Sequence, residues 1–167
     1  MSELDELKSE LAALKARVRT LEDQVEIVQL VSQYGPSVDS GSAEATANLW
    51  TDEGVFAVVG GEHTFTMEGR DDIVGMVNGA GHQGLIQRGC AHVLTVPHVE
   101  VRGDEAVGRS YALNIRWDAE ADRFWVARVS ANTWRWVRTD AGWKVKARVN
   151  SNLDGAAASR AMLAPPP

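Results

Sequence analysis

The sequence predicts an α+β fold, with a long N-terminal helix set against a sheet built from the second half of the chain. Three observations predict it. Apolar residues recur at helical spacing from Leu4 to Tyr34, and strand-like runs dominate from Val55 onward. The turn-rich links Arg102-Gly103-Asp104 and Thr139-Asp140-Ala141-Gly142 divide those runs as hairpins do. Helices first and strands after is the order of an α+β domain, with helices on one face of the sheet.

The first helix carries the clearest pattern. Leu4, Leu7, Leu11, Leu14, Val18, Leu21, Val25 and Val28 alternate in steps of 3 and 4, a heptad seam with Leu4, Leu11, Val18 and Val25 at a. Glu3 with Lys8, Glu10 with Lys15 and Arg17 with Glu22 place opposite charges in the g-to-next-e relation, which favours parallel self-association. An amphipathic helix lying on its own domain fits the same pattern. Residues 1–24 are therefore set apart as a coiled-coil extension, 25–155 as the domain and 156–167 as a tail that is disordered or folds over a pocket mouth.

The helical pattern continues through Ile27, Leu30, Val31 and Tyr34, and Gly35-Pro36 predicts a kink or a new turn. Ser42 is placed to cap a short helix over Ala43 to Trp50, followed by a loop at Thr51-Asp52-Glu53-Gly54. Val55 to Val59 and Thr64 to Glu68 flank Gly60-Gly61 as a hairpin. Gly69 to Asp72 opens a short helix with an acidic first turn. Asn78 to Gly89, with four glycines, reads as a mobile loop. Four strands follow, over His92 to Val101, Ala106 to Trp117, Phe124 to Val137 and Trp143 to Val149, with Pro97 interrupting the first.

Composition narrows the function. A net charge of −6 and a pI near 5.2 repel phosphate backbones, and the basic residues are scattered, so no nucleic-acid or membrane partner is expected. No apolar stretch approaches the ~18 residues that span a bilayer. A lone cysteine, Cys90, allows no intrachain disulfide, and no signal-peptide pattern opens the chain, so the cytoplasm is the expected compartment. No HxH, HExxH, CxxC, dinucleotide or P-loop spacing is present; His63 and His82 stand in separate predicted loops, and neither metal nor cofactor is expected.

Chemistry-bearing residues gather at element ends: Tyr34 and Asp39 late in the long helix, His92 at a strand start, Arg148 and Asn150 late in the last strand. Asn114 shares a strand face with Gly108, Ser110 and Ala112, small residues that leave room for a ligand. Each has a plainer role open to it. Asp39 opens a turn-rich Asp-Ser-Gly-Ser run, and Arg148 alternates with Lys144 and Lys146 as a solvated face would.

The segments IVQLVSQYGPSVDSGSAEATANLWTDEGVF, MEGRDDIVGMV, CAHVLTVPHVEVRGDEAVGRSYALNI and NTWRWVRTDAGWKVKARVNSNLDG together resemble the SnoaL-like branch of the nuclear transport factor 2-like superfamily, over roughly three quarters of the chain. Within it the pattern is similar to scytalone dehydratase, bile acid 7-alpha-dehydratase and hexachlorocyclohexane dehydrochlorinase. The resemblance implies a curved mixed or antiparallel sheet wrapped around helices, a cone-shaped α+β barrel with a pocket inside. It further implies an Asp39–His92 dyad, with Tyr34, Cys90 and Arg148 at matching positions and Asn114 as a polar pocket residue.

On that basis the expected activity is a cofactor-free, dehydratase-like elimination on a hydrophobic cyclic small molecule. Tyr34 serves as acid or donor, Arg148 stabilises negative charge, and Trp50, Phe56, Met76, Leu94 and Asn150 join Asn114 in lining the pocket. An isomerase or polyketide cyclase using the same base, and a non-catalytic binding or oligomerisation domain, are the alternatives. A homo-oligomer is expected, a trimer before a dimer, the preference for three resting on the resemblance.

Overall fold

A computed structural model describes residues 2–60 and 64–165. Helix α1 (Glu3–Asp39) leads into α2 (Ala43–Ala47), then strands β1 (Trp50–Val59) and β2 (Phe65–Glu68), helices α3 (Gly69–Asn78) and α4 (Ala80–Arg88), and strands β3 (Cys90–Leu94), β4 (His98–Arg102), β5 (Glu105–Asp118), β6 (Arg123–Thr139) and β7 (Gly142–Asn152). A short helix α5 (Ala157–Ala161) ends the chain. The strands form one mixed sheet in the order β2-β1-β7-β6-β5-β3, with β4 beside β3 on β5. All neighbours are antiparallel except β1 and β7, which run parallel. The sheet is not closed into a barrel; α1 packs on β3, β4 and β7, and α3 packs on β1 and β2.

Helix α1 has two parts with different surroundings. Its seam residues from Leu4 to Val25 are all at least half exposed, so up to residue 22 the helix does not lie on its own domain. From Asp23 onward the side opposite the seam docks on the sheet: Asp23, Ile27, Leu30, Val31, Tyr34 and Val38 are buried. The expected break at Gly35-Pro36 does not occur, and the helix runs through Pro36 to Asp39. An interior proline costs about 3 kcal/mol. Burying Val31 and Val38 returns about 1.5–3 kcal/mol each, enough to hold the last turn helical.

Other local expectations give way to packing in the same manner. The glycine-rich stretch expected as a loop is α4, anchored by His82 Nε2 on the Val38 carbonyl at 2.8 Å and by Gln83 Nε2 on the Val77 carbonyl at 2.8 Å. The second helix stops at Ala47, and the Ser42 side chain at its N-cap makes no bond to the helix, its hydroxyl meeting Ser40 Oγ instead. The loop expected at 51–54 belongs to β1, whose register shifts between Trp50 and Val55 because Gly54 folds back over the Trp50 ring. The strand expected over 92–101 is two strands, β3 and β4, parted around Pro97. Strand β1 pairs with β2 as expected, although the tip at 61–63 lies outside the described residues. Residues 156–165 of the tail neither stay unstructured nor line the cavity: α5 seats Ser159 on Ser151, hydroxyl to hydroxyl at 2.9 Å.

Candidate active site

A cavity of about 340 Å³ lies between the sheet and helices α1, α3 and α4, within the range usual for small-molecule sites. Tyr34, Phe56, Met76, Leu94, Asn114, Arg148, Asn150 and His92 all line it. Asp39 stands behind His92, outside the lining. Trp50, expected in the wall, is buried behind Tyr34 with ring centroids 5.8 Å apart, a packing role set by its place at the start of β1. The small-residue face of β5 opens to the cavity at Ala112 and Asn114. Its other end is filled, because Trp136 sits against Gly108 and Trp134 Nε1 donates to Ser110 Oγ at 3.0 Å. Leu113, placed by alternation on the opposite face, also lines the cavity.

The last turn of α1 delivers Asp39 to β3. One carboxylate oxygen is 2.5 Å from His92 Nδ1, and the other accepts the His92 backbone N–H at 2.7 Å. Cys90 Sγ points to the first oxygen at 3.7 Å; burial, then the Asp39 charge, pushes its thiol pKa up, so it acts as a neutral donor. The donor atoms of Asp39, Cys90 and His92 lie within 4.8 Å of one another, a spacing compatible with a metal, and Asp39 meets both His92 and Cys90 at hydrogen-bond lengths.

A chain of donors fixes the histidine tautomer. Arg116 has N–H groups alone, so its Nε donates to Asn114 Oδ1 at 2.7 Å. The Asn114 amide nitrogen then faces His92 Nε2 at 2.9 Å and donates to it. Nε2 must accept, which leaves the proton on Nδ1 for Asp39. The outcome is a neutral imidazole with its Nε2 lone pair turned to the cavity side.

Arg148 is buried in the cavity wall. It is 2% exposed, its Nε donates to Asn132 Oδ1 at 2.8 Å, and its guanidinium lies 4.4, 4.6 and 4.7 Å from the ring centroids of Tyr34, Phe56 and Trp134. Burial lowers its pKa from the ordinary arginine value, with Tyr34 opposing. One terminal nitrogen of Arg148 and the Asn150 carbonyl oxygen are buried without a partner among the described residues. Sequence alternation assigned Arg148 to the face of Lys144 and Lys146. The register of β6 with β7 shifts between Trp136–Val145 and Arg135–Ala147, so Lys146 is an extra residue and Arg148 turns inward.

Three titratable cavity residues escaped the sequence reading. His82, expected in a loop, stacks obliquely on His92 with centroids 5.6 Å apart. Arg116 and Arg128 line the wall from β5 and β6. Their only sequence signal is basic residues in otherwise apolar strands, which surface positions produce equally well. The fold and site correspond to a known family: the SnoaL-like domain model matches residues 19–149. The chain belongs to the SnoaL-like domain family. It also resembles an NTF2-like protein with a cystatin-like fold from Novosphingobium aromaticivorans, at 44% identity over 92% of this chain and 97% of that one, with a TM-score of 0.86. Two further solved structures share the fold. One is a function-unknown protein from Mycobacterium tuberculosis, at 21% identity over 91% of this chain and 76% of that one, TM-score 0.67. The other is an NTF2-like superfamily protein from Salmonella enterica serovar Typhimurium, at 16% over 80% and 92%, TM-score 0.62. No protein of curated function matches the chain. In this SnoaL-like chain no helix among the described residues is long and apolar enough to cross a membrane.

Proposed function

We propose that this SnoaL-like domain is a cofactor-independent lyase that carries out a dehydratase-type elimination on a hydrophobic cyclic small molecule. The observation that carries the reading is the His92–Asp39 pair at 2.5 Å, with Nε2 as an acceptor on the cavity side. A bound substrate displaces the Asn114 amide from Nε2, which then takes a proton from carbon next to a carbonyl. The C–H electron pair becomes the new C=C bond, the β C–O bond breaks, and hydroxide leaves as water on receiving a proton. His92 returns its own proton in a syn elimination, which restores the enzyme. Alternatively Tyr34 supplies the proton and is recharged from His92. Asp39 stabilises the imidazolium, and Arg148 holds negative charge as it develops on oxygen. The same base without a leaving group would make an isomerase or cyclase, and no catalysis at all would make a binding domain.

The test is turnover of a panel of cyclic β-hydroxy ketones in D₂O, followed by NMR. The expected result is water loss, reduced about 10²–10⁴-fold in His92→Ala and comparably in Asp39→Asn. Deuterium uptake without water loss would replace elimination by proton transfer. Equal rates in wild type and His92→Ala would remove His92 from the mechanism.

A further inference from the structure

The cavity holds more positive charge than an elimination requires. Arg116, Arg128 and Arg148 all line it, from three adjacent strands of the sheet. Among the described residues none of the three enters an ion pair with a carboxylate. The acid of the dyad, Asp39, has its oxygens taken by His92 and Cys90. Arg116 spends its Nε on Asn114, and its two terminal nitrogens make no hydrogen bond among the described residues. Arg128 pairs across the strands with Asn114, which places it beside the same wall. Burial lowers its pKa, Tyr34 opposes this, and the Arg116 charge adds to the lowering.

Arg148 is buried and Arg116 and Arg128 are half-buried, and like charges sharing a cavity without a carboxylate raise the cost of each. Outside the cavity, Arg138 pairs with Asp23 and Asp104, Arg70 with Glu44 and Arg102 with Glu100, and most of the remaining arginines are exposed to solvent. The cavity instead draws three arginines in from the surface, and its apolar walls of Phe56, Met76 and Leu94 suit a ring.

We infer that the natural ligand is an apolar ring compound carrying a carboxylate, which the forks of Arg116 and Arg128 grip while the ring lies against the apolar wall toward His92. This names the substrate class of the cavity and so rests on its reading as a substrate site. The carboxylate is a permanent charge, separate from the charge that develops near Arg148. Guanidinium groups recognise carboxylates through paired N–H donors, and a charge-assisted pair out of water discriminates strongly against a neutral amide of the same shape.

The experiment is isothermal titration of the full chain with cyclohexanecarboxylate and cyclohexanecarboxamide at low and high salt. Wild type is expected to bind the carboxylate at least about tenfold more tightly than the amide. Arg116→Gln and Arg128→Gln each lose most of that preference, while Arg135→Gln, on an exposed position of β6, keeps it. The titration reads binding and not turnover, so failure of the elimination reading leaves this result standing. Equal affinity for the two compounds in wild type, or binding of neither, overturns the inference whatever the variants do.

Discussion

At the scale of single residues, Gly35 decides how closely the helix and the dyad strand approach. A Cβ built there would collide with the His92 carbonyl oxygen. Helix propensity alone favours alanine over glycine by about 1 kcal/mol. Overpacking costs about 1–3 kcal/mol, and the obstacle is backbone that cannot rotate away. The collision therefore wins. Gly35→Ala is expected to lower stability by about 1 kcal/mol or more in thermal or urea unfolding, and to reduce turnover by moving Asp39 off His92. A variant more stable than wild type would show that α1 and β3 separate freely. The same scale explains why Arg116 and Asn114 matter: one side chain that can only donate sets the direction of every hydrogen bond down to Asp39.

At the scale of elements, α1 is fastened to the sheet through Asp23, which is buried where the free helix ends. Its carboxylate accepts from Arg138 at 2.6 Å and from Trp143 Nε1 at 3.1 Å. Burial raises its pKa, but the hydrogen bonds from Arg138 and Trp143 and the charges of Arg138 and Arg19 outweigh it, so the net shift is downward from 3.8. A depressed folded value contributes stability that is full above the unfolded value and is lost as pH falls through the folded one. Asp23→Asn is expected to lower stability near neutral pH by about 1.5–3 kcal/mol. The gap to wild type should narrow below about pH 4. Paired melts of the two proteins from pH 7 to pH 3 check it; a constant gap would mean that the ionised form contributes nothing. Element packing also set the features that periodicity missed, since α4 and the bulge at Lys146 are fixed by neighbours distant in the chain.

At the scale of the whole molecule, the exposed heptad seam is expected to join copies of this chain in parallel, a trimer before a dimer. Its residues from Leu4 to Val25 are 51–60% exposed, with the g and e charges alongside. An apolar stripe of this length without cover is a liability for a monomer. Light scattering at micromolar concentration is expected to give an oligomer, and deletion of residues 1–24 should weaken it. If the shortened chain stays equally oligomeric, the outer face of β5 and β6 carries the interface, where Tyr111 and Phe124 are 47% and 66% exposed. A monomer at micromolar concentration would remove the coiled coil.

The sequence by itself determined the α+β class, the heptad pattern of the first helix and the hairpin succession of the last strands, because periodicity and turn chemistry are local properties of the chain. It also pointed to Asp39 and His92, through resemblance to enzymes of known motif rather than through spacing, since residues 53 apart carry no local signal of contact. Only the tertiary structure decided that Pro36 stays inside a helix, that a glycine-rich stretch coils into α4, and that β1 runs parallel to β7. It alone turned Arg148 inward and set Arg116 and Arg128 on the same cavity wall. A basic residue in a strand faces water or core according to register, and one extra residue in the ladder reverses the answer. That reversal comes from pairing with distant strands, which no window of neighbouring residues contains.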